Sequence, residues 1–171
     1  MARSLDFSLV ALYEALDAQR ETRGLSWTQV TREINRQSQR LSAHPISQST
    51  VQGIRTHSVV EGDGVLQMLL WLDRTPESFM PGHRGSEIGA RLPQVPPKQI
   101  LRFDTPKLHA ALDARRTAER MTWEQVAGEL GIGASTLTRL AAGGRTTFPD
   151  VMRMVGWLGR PAAEFTRASD A

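Results

Sequence analysis

The chain has 171 residues, 40% of them hydrophobic, which suits one large domain or two small ones with a core. It contains no cysteine, which excludes a disulfide framework, a thiolate metal site and a cysteine nucleophile. The net charge of +3 is low for a non-specific polyanion binder but fits a specific binder that places a few arginines.

The sequence contains an internal repeat. LYEALDAQR at 12–20 recurs as LHAALDARR at 108–116, and Trp27 recurs as Trp123, both 96 residues apart (108 − 12 and 123 − 27). Three later pairs are each 86 residues apart, namely Ser49 with Ser135, Trp71 with Trp157, and Phe79 with Phe165. The first copy therefore carries 96 − 86 = 10 extra residues between Trp27 and Ser49. We predict an all-α protein with two helical domains of four to five helices.

The first copy is predicted to occupy residues 1–80. One helix runs from about Ser8 to Thr22, and a second begins at Trp27, where Ser26 and Gln29 have the spacing of a capping box. The N-terminal stretch has acidic and polar breaks in its apolar run, so it does not read as a signal peptide. Together with the lack of any apolar run near ~20 residues, this makes a cytoplasmic protein without a membrane partner the expectation.

The connection after the second helix is unusual in this copy. Asn35 stands where the second copy has a glycine, and the extra residues follow before Ile46. Asparagine tolerates the left-handed backbone of such a turn better than most residues do. The insertion either lengthens the second helix or forms a loop that ends at Pro45.

The third helix of this copy, predicted over Ser47–Thr56, turns a polar face outward. Because glutamine suits bidentate contact with adenine, Gln48, Ser49 and Gln52 are candidates for reading bases. A merely solvated polar face explains the same pattern, and the long turn puts docking of this helix in a groove in question.

The remainder of the first copy is an apolar helix from Asp63 or Gly64 and a short helix from Thr75-Pro76 to Phe79. Trp71 in the fourth helix, like Trp157 in its repeat, is expected in the core. The alternative is an apolar contact between the two domains or between two chains.

Residues 81–103 have the composition of a linker, with four prolines and three glycines. The segment also holds most of the chain's positive surplus, in the form of Arg84, Arg91, Lys98 and Arg102. These cations either follow DNA phosphates or keep a flexible tether in solution.

The second copy is predicted to occupy 104–171, with Thr105-Pro106 opening its first helix and a frayed tail at 167–171. Its central stretch, Thr122–Gly143, reads TWEQVAGELGIGASTLTRLAAG. Thr122 and Gln125 form another capping box, and Gly131 supplies the left-handed residue of a sharp turn. A further helix then begins near Ala134.

Two short helices across a tight glycine turn form the helix-turn-helix of DNA-binding proteins. The stretch resembles the Xre/Cro/CI-type repressor family, whose pattern is matched by Ala127, Gly131, Ile132, Leu137 and Leu140. The resemblance implies two tandem lambda-repressor-like domains and a sequence-specific transcriptional regulator, expected to be a repressor. A helical hairpin that binds nothing is the alternative.

The interpretation assigns two roles to residues of the two third helices and their surroundings. The residues expected to read bases are Gln48, Ser49, Gln52, Ala134, Ser135, Thr138 and Arg139. The residues expected to bind phosphates are Thr28, Gln29, Arg55, His57, Gln125, Arg145 and Thr146.

Because the two reading helices differ, SQSTVQGIR against GASTLTRLA, we expect one chain to act as a covalent pseudo-dimer on a non-palindromic site. The expected partner is double-stranded DNA, and a homodimer of chains stays open. One rival hypothesis is that only the C-terminal domain binds DNA, while the first copy is a dimerisation or partner-binding module. A second rival is an antitoxin or adaptor with a weak role at DNA.

The sequence gives no sign of an enzyme. It lacks the phosphate-binding GxxxxGK[ST] pattern, and its four histidines are scattered without metal-ligand spacing. We therefore expect no catalytic residue, no metal, no cofactor and no small-molecule ligand.

Overall fold

The structure is a computed structural model that describes residues 7–37, 45–56, 61–80, 90–96 and 98–170. Over these ranges the chain is mostly helical, as predicted, with one small antiparallel sheet of two strands. The first half contains α1 (Leu9–Thr22), α2 (Trp27–Gln37), α3 (Gln48–Gly53), α4 (Gly62–Leu72) and the 3-10 helix η1 (Pro76–Phe79). The second half contains β1 (Gln99–Phe103), α5 (Thr105–Ala118), α6 (Trp123–Leu130), α7 (Ala134–Arg139), η2 (Leu140–Ala142), α8 (Phe148–Leu158), η3 (Ala162–Phe165) and β2 (Thr166–Asp170). No helix in the described ranges combines the length and apolarity needed to cross a bilayer.

Short polar side chains begin several of the helices. Ser8, Ser47 and Thr147 each accept a hydrogen bond from the backbone N–H three residues farther along. Such a bond satisfies one of the free N–H groups of a first helical turn. In α5 this role belongs to Asp104 rather than to the predicted Thr105, which is the first helical residue and is buried.

The repeat in the sequence recurs in the packing of the two tryptophans. Trp71 of α4 donates from its indole nitrogen to Glu33 of α2 at 2.9 Å, and Trp157 of α8 donates to Glu129 of α6 at 2.8 Å. Each bond stays within its own half of the chain. Trp71 is buried as expected, whereas Trp157 is only half-buried at the edge of the core. Both bonds favour packing within a half over a contact between the halves.

The contacts of the first helix in each half repeat as well. The guanidinium of Arg20 lies 5.1 Å from the ring centre of Trp27, and that of Arg116 lies 4.9 Å from the ring of Trp123. Each arginine also donates to the backbone oxygen five residues farther on, at 3.1 and 2.9 Å. The repeat therefore extends from residue types to the contacts that hold each helix in place.

The two halves pack together around a continuous set of buried apolar side chains. α4 packs against α8, and η1 packs against η3, so that elements meet their own repeats. Glu61 and Thr147 occupy equivalent positions (147 − 61 = 86) and form an antiparallel β-bridge. Contacts between equivalent positions are those of a two-fold interface. The halves are thus related by a local pseudo-two-fold axis near this bridge.

Three phenylalanines join the halves at this axis. The ring of Phe148, which is fully buried, lies 4.6 Å from the ring of Phe7 and 5.6 Å from that of Phe103. The position equivalent to Phe148 in the first half is Gly62, where a Cβ atom would lie only 2.8 Å from the Phe103 ring. A glycine is therefore required there for the close approach of Phe103, and the pseudo-symmetry is broken at this point.

The sheet is formed by two segments that were predicted to be irregular. β1 lies in the predicted linker and β2 in the predicted frayed tail, and they pair from Gln99 opposite Asp170 to Phe103 opposite Thr166. Both Ile100 and Leu101 of β1 are buried. The expectation of flexible chain is therefore wrong for 99–103 and for 167–170. The strand pairing holds both segments, and β1 also packs against α4 of the first half, where the Gln67 amide nitrogen donates to the Leu101 oxygen at 2.7 Å.

Of the two alternatives for the insertion, the structure has the longer helix, and Asn35 does not adopt a left-handed backbone. α2 continues past Asn35 to Gln37, so the insertion lengthens this helix, while residues 38–44 lie outside the described ranges. The Asn35 amide nitrogen donates to the Ile46 oxygen at 2.9 Å, and its side-chain oxygen accepts from the Ile46 nitrogen at 2.8 Å. This pair of bonds closes the insertion and holds Ile46 in its buried position.

Candidate nucleic-acid interface

The corner between α6 and α7 has the predicted geometry. Thr122 accepts a hydrogen bond from the Gln125 backbone, and the Gln125 side-chain oxygen accepts from the Thr122 backbone at 2.8 Å, which completes the capping box. Gly131 adopts φ 67°, and its N–H donates to the Ala127 oxygen. Ile132 follows as a buried plug. This arrangement sets α7 rigidly against α6 and fixes which of its faces is outward.

The outward face of α7 consists of the predicted polar residues. Ser135, Thr138 and Arg139 are exposed, while Leu137 is fully buried. Ala134, the fourth base-reading candidate here, is half-buried against the core.

The Arg139 side chain is partly fixed by its own helix. Its Nε donates to the Ser135 oxygen at 3.3 Å, and the Thr138 hydroxyl donates to the same oxygen at 3.2 Å. Because only Nε is used, the two terminal nitrogens of Arg139 stay available in the described structure. Two parallel donors are what bidentate contact with guanine requires.

The outward face of α3 is held by a hydrogen-bonded chain. The Thr28 hydroxyl donates to the Gln48 side-chain oxygen at 2.7 Å, and the Gln48 amide nitrogen donates to the Gln52 oxygen at 3.1 Å. Ser49 lies beside them and bonds the Ser47 hydroxyl at 2.9 Å. The three candidates of this helix are therefore together on one surface, but much of their bonding capacity is used within the protein.

The glutamines at the starts of α2 and α6 share one geometry. The side-chain oxygen of Gln29 accepts from the Ser26 backbone at 2.8 Å, as Gln125 does at Thr122. Both glutamines are exposed. Since the oxygen faces the protein, the amide N–H groups are the part of each side chain left for a phosphate oxygen.

The other phosphate candidates are less alike. Arg55 is exposed and lies 5.0 Å above the Tyr13 ring, and His57 falls outside the described residues. Arg145 is exposed but paired to Glu61 of the first half at 2.9 Å. The Thr146 hydroxyl is buried in a cleft between the halves instead of facing open solvent.

The Trp71–Glu33 contact carries the clearest electrostatic perturbation. Hydrogen bonds from Arg23, at 2.7 Å, and from the Trp71 indole hold the pKa of Glu33 below its ordinary value of 4.5, against a weaker opposing effect of burial. The lowered pKa is explained by the packing of α2 against α4 and so marks a structural contact.

Several contacts of these residues were not predicted. Glu33 and Glu129 obey the 96-residue offset and could have been found by extending the repeat to charged positions. Arg102 and Arg167 meet Arg145 around the cleft only because β1 pairs with β2, and no signal in the sequence indicates that meeting.

Among the described residues no group of three or more His, Asp or Glu side chains is placed to hold a metal ion. Comparison of the chain with protein-family models, with curated proteins and with solved structures finds no match. The resemblance to the repressor family therefore rests on the residues of the Thr122–Gly143 stretch alone.

Proposed function

We propose that the protein binds duplex DNA sequence-specifically and regulates transcription, most simply as a repressor. The observation that carries this proposal is the α6–α7 corner. A glycine-closed turn holds a helix whose exposed face presents Ser135, Thr138 and Arg139 while Leu137 anchors the opposite side. A rigid helix with a polar outer face is the form in which proteins of this type enter a major groove.

The pseudo-two-fold packing supports a covalent pseudo-dimer. Dimeric helix-turn-helix proteins read two half-sites because a two-fold axis presents two reading helices to the same duplex. Here α3 and α7 belong to halves that meet through equivalent elements. Since the exposed faces of α3 and α7 differ in residue type, the two half-sites would differ, and the operator would lack a palindrome.

Selection of binding sites from random duplexes tests both statements. The proposal expects one chain per site and two unlike half-sites. The variant Arg139→Ala is expected to weaken discrimination at one base pair by ~1–3 kcal/mol. A uniform loss across all sequences would assign Arg139 to a phosphate, and recovery of a perfect inverted repeat occupied by two chains would overturn the pseudo-dimer.

A second candidate function keeps DNA contact in the second half only. It is favoured by the bonds of Gln48, which is engaged by both Thr28 and Gln52, and by the lengthened α2. Because the halves share a core, the test uses the full chain with Gln48→Ala and Gln52→Ala together. Under this candidate the double variant leaves base preference unchanged, whereas the pseudo-dimer loses the preference at one half-site only.

The dependence of affinity on salt distinguishes DNA contact from an adaptor role. Each phosphate neutralised by an arginine contributes about −0.9 to the slope of log K against log salt for duplex DNA. Several contacts therefore require a steep slope, and a nearly flat one would favour a protein-binding adaptor.

A further inference from the structure

A cleft of about 120 Å³ lies between the two halves, at the Glu61–Thr147 bridge. Its walls come from the start of α4, the end of β1 with the start of α5, the turn after η2, and one residue of β2. Gly143 and Gly144 form the turn, and a Cβ atom on Gly144 would lie 2.9 Å from a backbone oxygen, so the chain bends more tightly there than other residues allow.

Two polar atoms in this cleft have no hydrogen-bond partner in the described structure. The Thr146 hydroxyl and the Nε of Arg102 are both buried, and both residues line the cleft. A buried polar group left without a partner destabilises the folded state. Nε–H of arginine can only donate, so whatever satisfies it must offer an acceptor atom.

The charges around the cleft favour an anion as that acceptor. Arg102, Arg145 and Arg167 all line it. Arg145 is neutralised by Glu61, and the other lining carboxylate, Asp63, accepts from the Phe103 backbone N–H at 3.0 Å. Within the described ranges neither Arg102 nor Arg167 has a carboxylate partner. The lining therefore has three arginines against two carboxylates, which leaves one positive charge in excess.

We propose that this cleft binds a tetrahedral oxyanion of the phosphate type, held by Arg102, Arg167 and the Thr146 hydroxyl. The cleft has the volume of about four water molecules, since each takes about 30 Å³ in the liquid. That is room for one small anion, whereas pockets for drug-sized ligands begin near ~300 Å³. The anion is either free in solution or a phosphate of bound DNA, and only the second source rests on the proposed function. Because the walls belong to both halves, the anion would bridge them.

Inorganic phosphate tests the site on the full chain without DNA. Thermal unfolding is measured in phosphate and in chloride at equal ionic strength, and phosphate is expected to raise the midpoint temperature of unfolding. Calorimetry measures the binding of phosphate directly. Hydrogen bonds to charged groups contribute about 1.5–3 kcal/mol, so Arg102→Gln should weaken phosphate binding by ~10-fold or more. Arg32→Gln, at an exposed position of α2 outside the cleft, is the matched control and should change nothing.

The variant Thr146→Val separates an oxyanion site from a cleft filled by water alone. It removes a hydroxyl that has no partner, so the protein in chloride should be equally stable or more stable. Its response to phosphate should nevertheless fall, because one of the anion's donors is gone. Equal phosphate responses of wild type, Arg102→Gln and Thr146→Val would overturn the proposal, as would no response in any of them.

Duplex binding identifies the source of the phosphate. If DNA supplies it, free phosphate competes with duplex, and Arg102→Gln makes the salt slope shallower by about 0.9. If the ligand is a free anion, phosphate binds without competing. Should the chain bind phosphate but no duplex, the proposed function fails while the anion site stands.

Discussion

The fully buried Phe148 offers the sharpest test of how the two halves fold. Its ring contacts Phe7 of the first half at 4.6 Å and Phe103 of β1 at 5.6 Å. Truncating a buried phenylalanine to alanine costs about 3–5 kcal/mol. The loss of stability in Phe148→Ala should lie near the upper end of this range, because each edge-to-face ring pair adds ~0.5–1.5 kcal/mol beyond burial. A typical domain is stable by only about 5–15 kcal/mol.

Hydrogen exchange followed by mass spectrometry can report each half separately through peptides from α2 and α6. If the halves share one cooperative core, Phe148→Ala lowers the free energy of opening by the same amount in both. A loss of 4 kcal/mol corresponds to roughly 10³-fold faster exchange. The control Val10→Ala, at a residue 51% exposed on α1, should leave exchange nearly unchanged. Unchanged α2 protection in Phe148→Ala, with α6 protection lost, would refute the shared core and favour two independent domains.

Three further predictions concern the turns and the Trp71 contact. Gly131→Ala should lower the free energy of unfolding by about 1–2 kcal/mol, because alanine resists the left-handed backbone of this turn. The control Gly128→Ala lies inside α6 with no atom within 4 Å of the added Cβ, so it should raise the free energy of unfolding. Equal effects of the two variants in urea denaturation would contradict this prediction. Asn35→Ala should lower the free energy of unfolding by ~1–3 kcal/mol, because it leaves the Ile46 backbone unpaired. Asn35→Asp keeps the acceptor oxygen and should lower it less. If Asn35→Ala left the stability unchanged, other contacts would have to close the insertion. Because the pKa of Glu33 is lowered in the folded protein, the contribution of this carboxylate to stability is complete above the ordinary value of 4.5 and is lost as pH falls through the folded pKa. The difference in the free energy of unfolding between wild type and Glu33→Gln should therefore shrink below about pH 4.5. Urea denaturation at a series of pH values measures this difference, and a constant difference would refute the prediction.

The elements that were predictable are those whose signals are local. The capping box of Thr122 and Gln125, the left-handed Gly131 and the spacing of Leu137 each act within a few residues, and the structure has all three as expected. The outward position of Arg139 follows from the same periodicity, so the candidate reading face of α7 could be derived from sequence.

The errors arose where distant segments determine the structure. QILRF is too short, and too close to prolines, to be recognised as a strand, and it becomes one only by pairing with residues near the end of the chain. Asn35 has the position of Gly131 in the repeat, but its side chain bonds a backbone eleven residues away, a contact that its place in the sequence does not reveal. The cleft around Arg102 required both the strand pairing and the packing of the halves.

Because the two halves are joined in one chain, the stability of their interface does not depend on protein concentration. Separate subunits that met through the same surfaces would come apart on dilution, whereas a covalent connection keeps each half at a fixed and high effective concentration near the other. An interface within one chain need not be identical on its two sides. Gly62, the counterpart of Phe148 in the repeat, shows the result, since the Phe103 ring lies where a side chain at this position would begin.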